Sequence, residues 1–215
     1  RKRTPDGTIR KMKARYCCRG DLEEGEFETF APVVAWSTVR LFIVLTMTLD
    51  WYTCSIDFSN AFVQAKLDKP VWVHIPRGFR SANPKKTYCR LKRSLYGLST
   101  APRLWYKHLL AALEKEGFKP SDQEPCLFTK PKMILILYVD DAGIGCEDEA
   151  DVDQLITSLQ NRGFELTREG SFSEFLGIKL TKNASNSTIT LTQKGLINKI
   201  IKATGMEDSN PNWLP

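Results

Sequence analysis

The sequence predicts an α+β domain built on a β-α-β-β-α-β unit, the split βαβ or ferredoxin-like arrangement. Three observations predict it. Met133 to Val139 is the most apolar run in the chain, and a second apolar-rich stretch, Ala142 to Cys146, follows Asp140-Asp141; this is the pattern of a tight β-hairpin with two carboxylates on its tip. Segments of helical period lie on either side of that hairpin, with Leu104, Trp105, Leu109, Ala112 and Leu113 before it and Val152, Leu155, Ile156 and Leu159 after it. Tyr52 to Asp57 alternates as a strand and ends on a third acid.

Taken in order, Lys2 to Gly20 carries the turn signal Pro5-Asp6-Gly7 and then basic residues from Arg10 to Arg15, which predicts a basic hairpin. Ser37 or Thr38 is the expected cap of a helix through Val39, Phe42, Ile43, Leu45, Met47 and Leu49. After the strand Tyr52 to Asp57 come a helical turn within Ser59 to Lys66, a strand over Val71 to Ile75, a polar loop over Gly78 to Lys86 and a basic strand over Tyr88 to Leu95. A helix is expected from Ala101 to Gly117, with Pro102 in its first turn and glycine as its stop. Strands follow at Cys126 to Thr129 and in the hairpin. A helix opened by Asp148 or Asp151 ends near Gly163, and Phe164 to Arg168 is the last core strand.

That topology brings distant acids together. The first two core strands run parallel across a crossover helix and the third lies antiparallel between them, so the hairpin tip falls beside the carboxyl end of the first strand. Asp57, Asp140 and Asp141 are therefore expected in one cleft. Crowded, partly desolvated carboxylates repel one another unless a cation sits among them. Magnesium suits such oxygen ligands, and two ions about 3.5 to 4 Å apart can activate a hydroxyl and stabilise a leaving pyrophosphate. Nucleotidyl transfer is the reaction this arrangement fits. Taken alone, Asp-Asp in a turn is most often a solvated turn or a helix cap, and it is the third acid at the right strand end that cuts against this reading.

At 215 residues, 42% hydrophobic and 26% charged, the chain has the composition of a globular domain, and its net charge of +6 leans toward a polyanionic partner. Cys17, Cys18, Cys54, Cys89, Cys126 and Cys146 are scattered without a C-x-x-C, and His74 and His108 are the only histidines, so neither a zinc site nor a disulfide framework is expected. No apolar signal core or membrane-length run occurs; a reducing compartment, cytosol or nucleus, is the expectation. A first residue other than methionine and an end at Trp213-Leu214-Pro215 suggest a fragment.

Five ordered blocks carry a resemblance: Glu28-Thr29-Phe30-Ala31-Pro32-Val33-Val34; Ser55-Ile56-Asp57-Phe58-Ser59-Asn60-Ala61-Phe62; Ser94-Leu95-Tyr96-Gly97-Leu98 with Ala101-Pro102-Arg103-Leu104-Trp105-Tyr106; Tyr138-Val139-Asp140-Asp141; and Phe175-Leu176-Gly177-Ile178. Together, from Lys13 to Met206, they resemble the reverse transcriptase of copia-type LTR retrotransposons. The resemblance implies a right-hand polymerase fold with a ferredoxin-like palm. Fingers would span 1–51 and 63–100, palm 52–62 and 101–182, and the start of a truncated thumb 183–215.

Asp57, Asp140 and Asp141 match the family's catalytic metal ligands, and the carbonyl of Phe58 is expected to complete a site for two Mg2+ ions, with Mn2+ as a possible substitute. Phe62 alone reads as ordinary packing; the resemblance implies a ring under the incoming sugar that excludes a 2′-hydroxyl. Lys13 and Arg15, on one strand face, read as a solvated basic strand or, by resemblance, as groups reaching the triphosphate. Tyr96 and Gly97 match the turn closing over nucleotide and template, and Pro102 shapes the helix start. Leu176 and Gly177 read as strand residues and match the primer grip. Lys199 and Lys202 lie on an amphipathic helix, Lys194 to Met206, resembling the first thumb helix that faces nucleic-acid phosphates.

This chain departs from the family at Ser99-Thr100, where Lys-Gln is common, and at Cys17-Cys18 and Gly20-Asp21. Partners implied are a primed RNA or DNA template, dNTPs and other parts of a parent polyprotein, with no membrane, in cytoplasmic virus-like particles or the nucleus. Two other classes compete: a catalytically inactive or domesticated module that only binds nucleic acid, and a ferredoxin-like RNA-binding domain with stacking aromatics on an open sheet face.

Overall fold

The computed structural model describes residues 2–3, 9–11, 15–23, 25–79, 87–183 and 188–209. Strands β1 (Lys2–Arg3) and β2 (Ile9–Lys11) pair as the expected N-terminal hairpin, while Pro5-Asp6-Gly7 and Lys13 lie outside the described residues. Arg15, expected on a strand, instead lies in an irregular segment that leads into one 3-10 turn, Gly20–Leu22.

Helix α1 (Trp36–Thr48) begins after Ala35, and neither Ser37 nor Thr38 caps it. The cap comes from Glu124, remote in sequence. Its carboxylate accepts the Ala35 N–H at 3.0 Å and the Thr38 hydroxyl at 3.1 Å. Its other oxygen accepts the Cys126 N–H at 3.1 Å. A negative group here answers both the unpaired N–H groups and the helix dipole. A tertiary contact has taken the place of the local cap.

Strand β3 (Tyr52–Phe58) is followed by the short α2 (Ala61–Gln64), then β4 (Trp72–His74) and β5 (Tyr88–Arg90), which pair antiparallel. The expected strand through Leu95 stops early: the Leu91 N–H still donates to the Val71 carbonyl at 2.9 Å in the register of the β4–β5 ladder, but the Ser94 N–H turns away to Ala65, also at 2.9 Å. Helix α3 (Ala101–Lys115) carries Pro102 in its first turn. Next come β6 (Lys119–Pro120), β7 (Leu127–Lys130), β8 (Met133–Tyr138) and β9 (Asp141–Cys146). Helix α4 (Glu149–Asn161) is capped by Asp148, which accepts the Ala150 N–H at 2.9 Å. Strand β10 (Leu166–Ser171) leads to β11 (Glu174–Phe175), β12 (Ile178–Asn183), β13 (Thr188–Thr192) and α5 (Lys194–Ala203).

The large sheet has the order β10-β3-β9-β8-β7-β6. Strand β9 is antiparallel to both β3 and β8, so those two are parallel, with α3 in the crossover between them. This is the anticipated βαββαβ unit, widened at one edge by β6 and β7. The separate sheet β11-β12-β13 was not expected as a sheet, although the block Phe175-Leu176-Gly177-Ile178 lies at its β11–β12 hairpin.

Leu135, Leu137, Ile144, Ile56 and Phe58 pack with Trp105, Leu109, Leu155 and Leu159 of α3 and α4. Ile134 and Ile136 belong to a second core with Val39, Phe42 and Ile43 of α1 and with Phe172 and Phe175. Cover on both faces explains why Met133 to Leu137 is apolar at every position instead of alternating. The large sheet therefore lacks the open aromatic face that an RNA-binding ferredoxin-like domain would need.

Two glycines in β9 admit the second layer. A Cβ on Gly145 would stand 2.3 Å from Thr46 Cγ2, and one on Gly143 2.5 Å from the Phe172 ring. Thr46 cannot readily swing aside, since its hydroxyl donates to the carbonyls of Phe42 and Ile43. Gly145→Val should therefore overpack the α1 interface and lower stability by about 1–3 kcal/mol. Urea denaturation checks this, and an unmoved midpoint would show that α1 is free to shift.

Candidate active site

The register of β3 and β9 sets Asp57 directly opposite Asp141, and the Phe58 N–H donates to the Asp140 carbonyl at 2.8 Å. The hairpin tip thus sits against the end of β3. Strand alternation places Asp57 and Asp141 on the face opposite to Ile56, Phe58 and Ala142, which enter the helical core. Three acids from two distant segments meet at one end of the sheet.

The hairpin turn itself is constrained. Tyr138 pairs with Asp141, leaving only Val139 and Asp140 in the loop, and Val139 adopts φ +56°. A β-branched residue in that region is strained and persists only when its surroundings enforce it. Trp105 does so: its indole N–H donates to the Val139 carbonyl at 2.6 Å. The indole is 2% exposed and meets Phe58 and Phe164 edge-on, with centroids 5.3 and 6.0 Å away.

Burial, followed by the charges of Asp140, Asp57 and Glu169, pushes the Asp141 carboxyl up to about 6. Like charges crowded in a partly dry site fit a divalent cation, whose charge would reverse the shift. Among the described residues no three acidic, histidine or cysteine side chains close around a single point. The acids form a crowded edge, and water and phosphate oxygens would supply the remaining ligands, as hard cations accept. The pH consequence follows from the raised value. A carboxyl whose folded pKa exceeds its unfolded one favours the fold below about pH 4, and that contribution is lost as pH rises through about 6. Without divalent ions, Asp141→Asn should then melt higher than the parent at pH 7.5, with the difference shrinking toward pH 4. Equal melting temperatures at pH 7.5 would mean the acids do not strain one another.

Beside the acids lies an aromatic and cationic stack. The Phe62 ring is 4.8 Å from Tyr96, and the Arg15 guanidinium lies 4.7 Å over the other ring partner, Tyr96. Burial and then Asp140 raise the Tyr96 hydroxyl, Arg15 opposes them, and Asp57 adds to the rise, so this ring belongs to the same electrostatic neighbourhood. Gly97 has φ +90°, and a Cβ there would be 2.1 Å from the Cys18 carbonyl. The close approach lets the Cys18 N–H donate to the Tyr96 carbonyl at 2.7 Å. Glu23 completes the clasp by accepting the Ser99 N–H at 2.8 Å and its hydroxyl at 2.6 Å. The unusual Ser99 therefore latches the segment bearing Arg15 onto the Tyr96 turn.

Residues 2–215 match the family model described as reverse transcriptase (RNA-dependent DNA polymerase). The chain belongs to this family. It is 28% identical over 222 residues to the retrovirus-related Pol polyprotein from transposon TNT 1-94 of Nicotiana tabacum, covering 100% of this chain and 17% of that protein. The corresponding polyprotein from transposon RE1 of Arabidopsis thaliana gives 28% over 222 residues, with 100% and 15% covered. The transposon Ty1-ER2 Gag-Pol polyprotein of Saccharomyces cerevisiae gives 30% over 166 residues, with 74% and 9% covered. The chain thus spans less than a fifth of these relatives' length.

Within this reverse transcriptase domain the motif blocks meet in space. Arg103 pairs with Asp68 at 2.6 Å and with Glu28 at 3.4 Å, joining the first block to the third. Leu176 and Gly177 are not strand residues: with φ +51° and +75° they form the two-residue tip of the hairpin between β11 and β12. Pro102 is the second residue of α3, and Lys199 and Lys202 are exposed on α5; no contact of theirs with the acids is among the described interactions. Sequence reasoning missed Glu169, Glu23 and the indole bond to Val139. Trp105 was legible only as a core position, and neither glutamate carries a motif signal. Among the described residues no helix is long and apolar enough to cross a membrane.

Proposed function

We propose that this domain is an RNA-directed DNA polymerase that transfers nucleotides from dNTPs to a primer 3′-hydroxyl on an RNA or DNA template, using two Mg2+ ions for which Mn2+ can substitute. The observation that supports it most is the register pairing of Asp57 with Asp141, with the Asp140 carbonyl held by the Phe58 N–H. When bound, divalent ions supply an activated hydroxyl and neutralise the leaving pyrophosphate. Asp57, Asp140, Asp141 and the Phe58 carbonyl would hold them. The chain's own share is positioning and charge.

In this reading Arg15 and Lys13 take the triphosphate, and Phe62, braced on Tyr96, lies under the sugar. Tyr96 and Gly97 close over the nucleotide. The Leu176-Gly177 tip holds the primer end, Pro102 shapes the template side, and Lys199 and Lys202 face phosphates. Segments 1–51 and 63–100 act as fingers, 52–62 and 101–182 as palm, and 183–215 begins a thumb. The domain works intracellularly as part of a larger polyprotein. An inactive binding module would keep the cost of three crowded acids without the cation that relieves it.

Primer extension on an RNA template, with Mg2+ and with excess chelator, tests the assignment: metal-dependent DNA synthesis is expected, and none in any divalent ion refutes it. Phe62→Ala should raise ribonucleotide incorporation relative to deoxynucleotide by about tenfold or more, the scale at which removing a steric block alters selectivity. Single-nucleotide insertion with paired substrates measures this, and an unchanged ratio removes Phe62 from sugar selection.

A further inference from the structure

From Lys69 to Leu113 the sequence holds ten lysines and arginines and no aspartate or glutamate. The hairpin of β4 and β5 lies inside this stretch. Its register pairs Trp72 with Arg90 and His74 with Tyr88, and alternation sets all four on one face, with Val73 and Cys89 on the other. Trp72 is 63% exposed and Tyr88 52%, and the His74 and Tyr88 rings lie in contact, tilted at 35° with centroids 4.2 Å apart. Single exposed aromatics are ordinary on a protein surface. A tryptophan, a contacting ring pair and an arginine aligned on one strand pair, in a stretch without acids, are a different object. Flat rings offer sequence-tolerant stacking to bases while the cations meet phosphates.

The hairpin is also tied to the acid site. Tyr16 donates its hydroxyl to the His74 carbonyl at 3.0 Å, Arg93 donates to the Gln64 carbonyl at 2.9 Å, and Ser94 donates to Ala65 at 2.9 Å. Gln64 ends α2, the element that follows Asp57, and Tyr16 adjoins Arg15. A strand lying on this face is thus fixed relative to the acids.

We propose that the exposed face of the β4–β5 hairpin is a stacking platform for the unpaired part of the template strand, with Trp72 and the His74–Tyr88 pair taking bases and Arg90 taking a phosphate. It rests on the reading of the domain as a template-directed polymerase and adds a second, metal-independent nucleic-acid site to it. Binding there is tolerant of base identity and weakens with salt.

The test measures anisotropy of a short fluorescein-labelled oligouridine RNA without divalent ions, alongside extension of primed templates with long or minimal unpaired overhangs. Trp72→Ala with Tyr88→Ala, both exposed in the fold, should weaken oligouridine binding by roughly thirtyfold or more, the loss of about two stacked bases. Extension on the long-overhang template should show a raised KM with kcat unchanged, and the minimal-overhang template should be unaffected. Arg90→Glu, which leaves the rings intact, should weaken binding as well. Equal oligouridine affinity in parent and double variant overturns the proposal. An equal loss on both templates also overturns it. Asp57→Asn should keep parental oligouridine affinity, so loss of polymerase activity and loss of this platform are separately readable.

Discussion

Asp57→Asn should abolish templated primer extension, by roughly 10³-fold or more, while the protein folds and melts at or slightly above the parental temperature. The magnitude follows from losing several kcal/mol of metal-borne charge stabilisation, at about 1.4 kcal/mol per tenfold in rate. The stability side follows from removing one of the charges that bear on Asp141. Asparagine preserves the side-chain shape, and β3 keeps its backbone pairing with β9 and β10. Loss of activity with a normal unfolding curve therefore separates chemistry from folding. Undiminished synthesis by Asp57→Asn would refute the three-carboxylate site, and with it the polymerase reading.

Trp105→Ala should be the most damaging change to the fold, costing about 3–5 kcal/mol as the buried indole leaves a cavity. That is a large part of the stability of an ordinary domain. The same substitution removes the donor on the Val139 carbonyl, and with it the bond that holds a valine at φ +56°. Trp105→Phe distinguishes the two contributions. It keeps most of the packing against Phe58 and Phe164 but loses the indole N–H. Denaturation should then show a modest loss, while the extension rate falls by about tenfold because the hairpin tip is less firmly set. A Trp105→Phe protein with parental kcat would show that strand pairing alone holds the turn.

The core of the fold was legible because its signals are local and periodic. Alternation in β3, the apolar run of β8 and the helical spacing of α3 and α4 each survive reading in isolation. The cap of α1 was not legible, since Ser37 and Thr38 satisfy the local rule while Glu124 performs the task from a remote position. The strand expected to run to Leu95 failed for a related reason. Its residues suit a strand, but the ladder with β4 runs out at Val71 and the Ser94 N–H turns to the Ala65 carbonyl instead. The sheet β11-β12-β13 is short and partly exposed, so its apolar pattern is too weak to stand out.

For the site, the acids announced themselves by type and by place, at the ends of strands whose order could be deduced. The latch between Glu23 and Ser99 did not, because it joins two surface segments with no period or motif in common. Leu176 and Gly177 were read as strand residues because a two-residue hairpin differs from a continuous strand only in backbone sign, which a leucine conceals.

What the amino-acid sequence determined by itself was the inventory and its order: three carboxylates, the strands that end in them and the crossover that makes those strands parallel. Chain connectivity and side-chain periodicity are properties of neighbours along the chain, so they can be read there. The tertiary structure alone decided that Asp57 faces Asp141 in register, that an indole holds Val139 in place, and that burial with three nearby negative charges raises one carboxyl to about 6. Distance, desolvation and field depend on atoms far apart in the chain, and folding is what brings them within reach of one another.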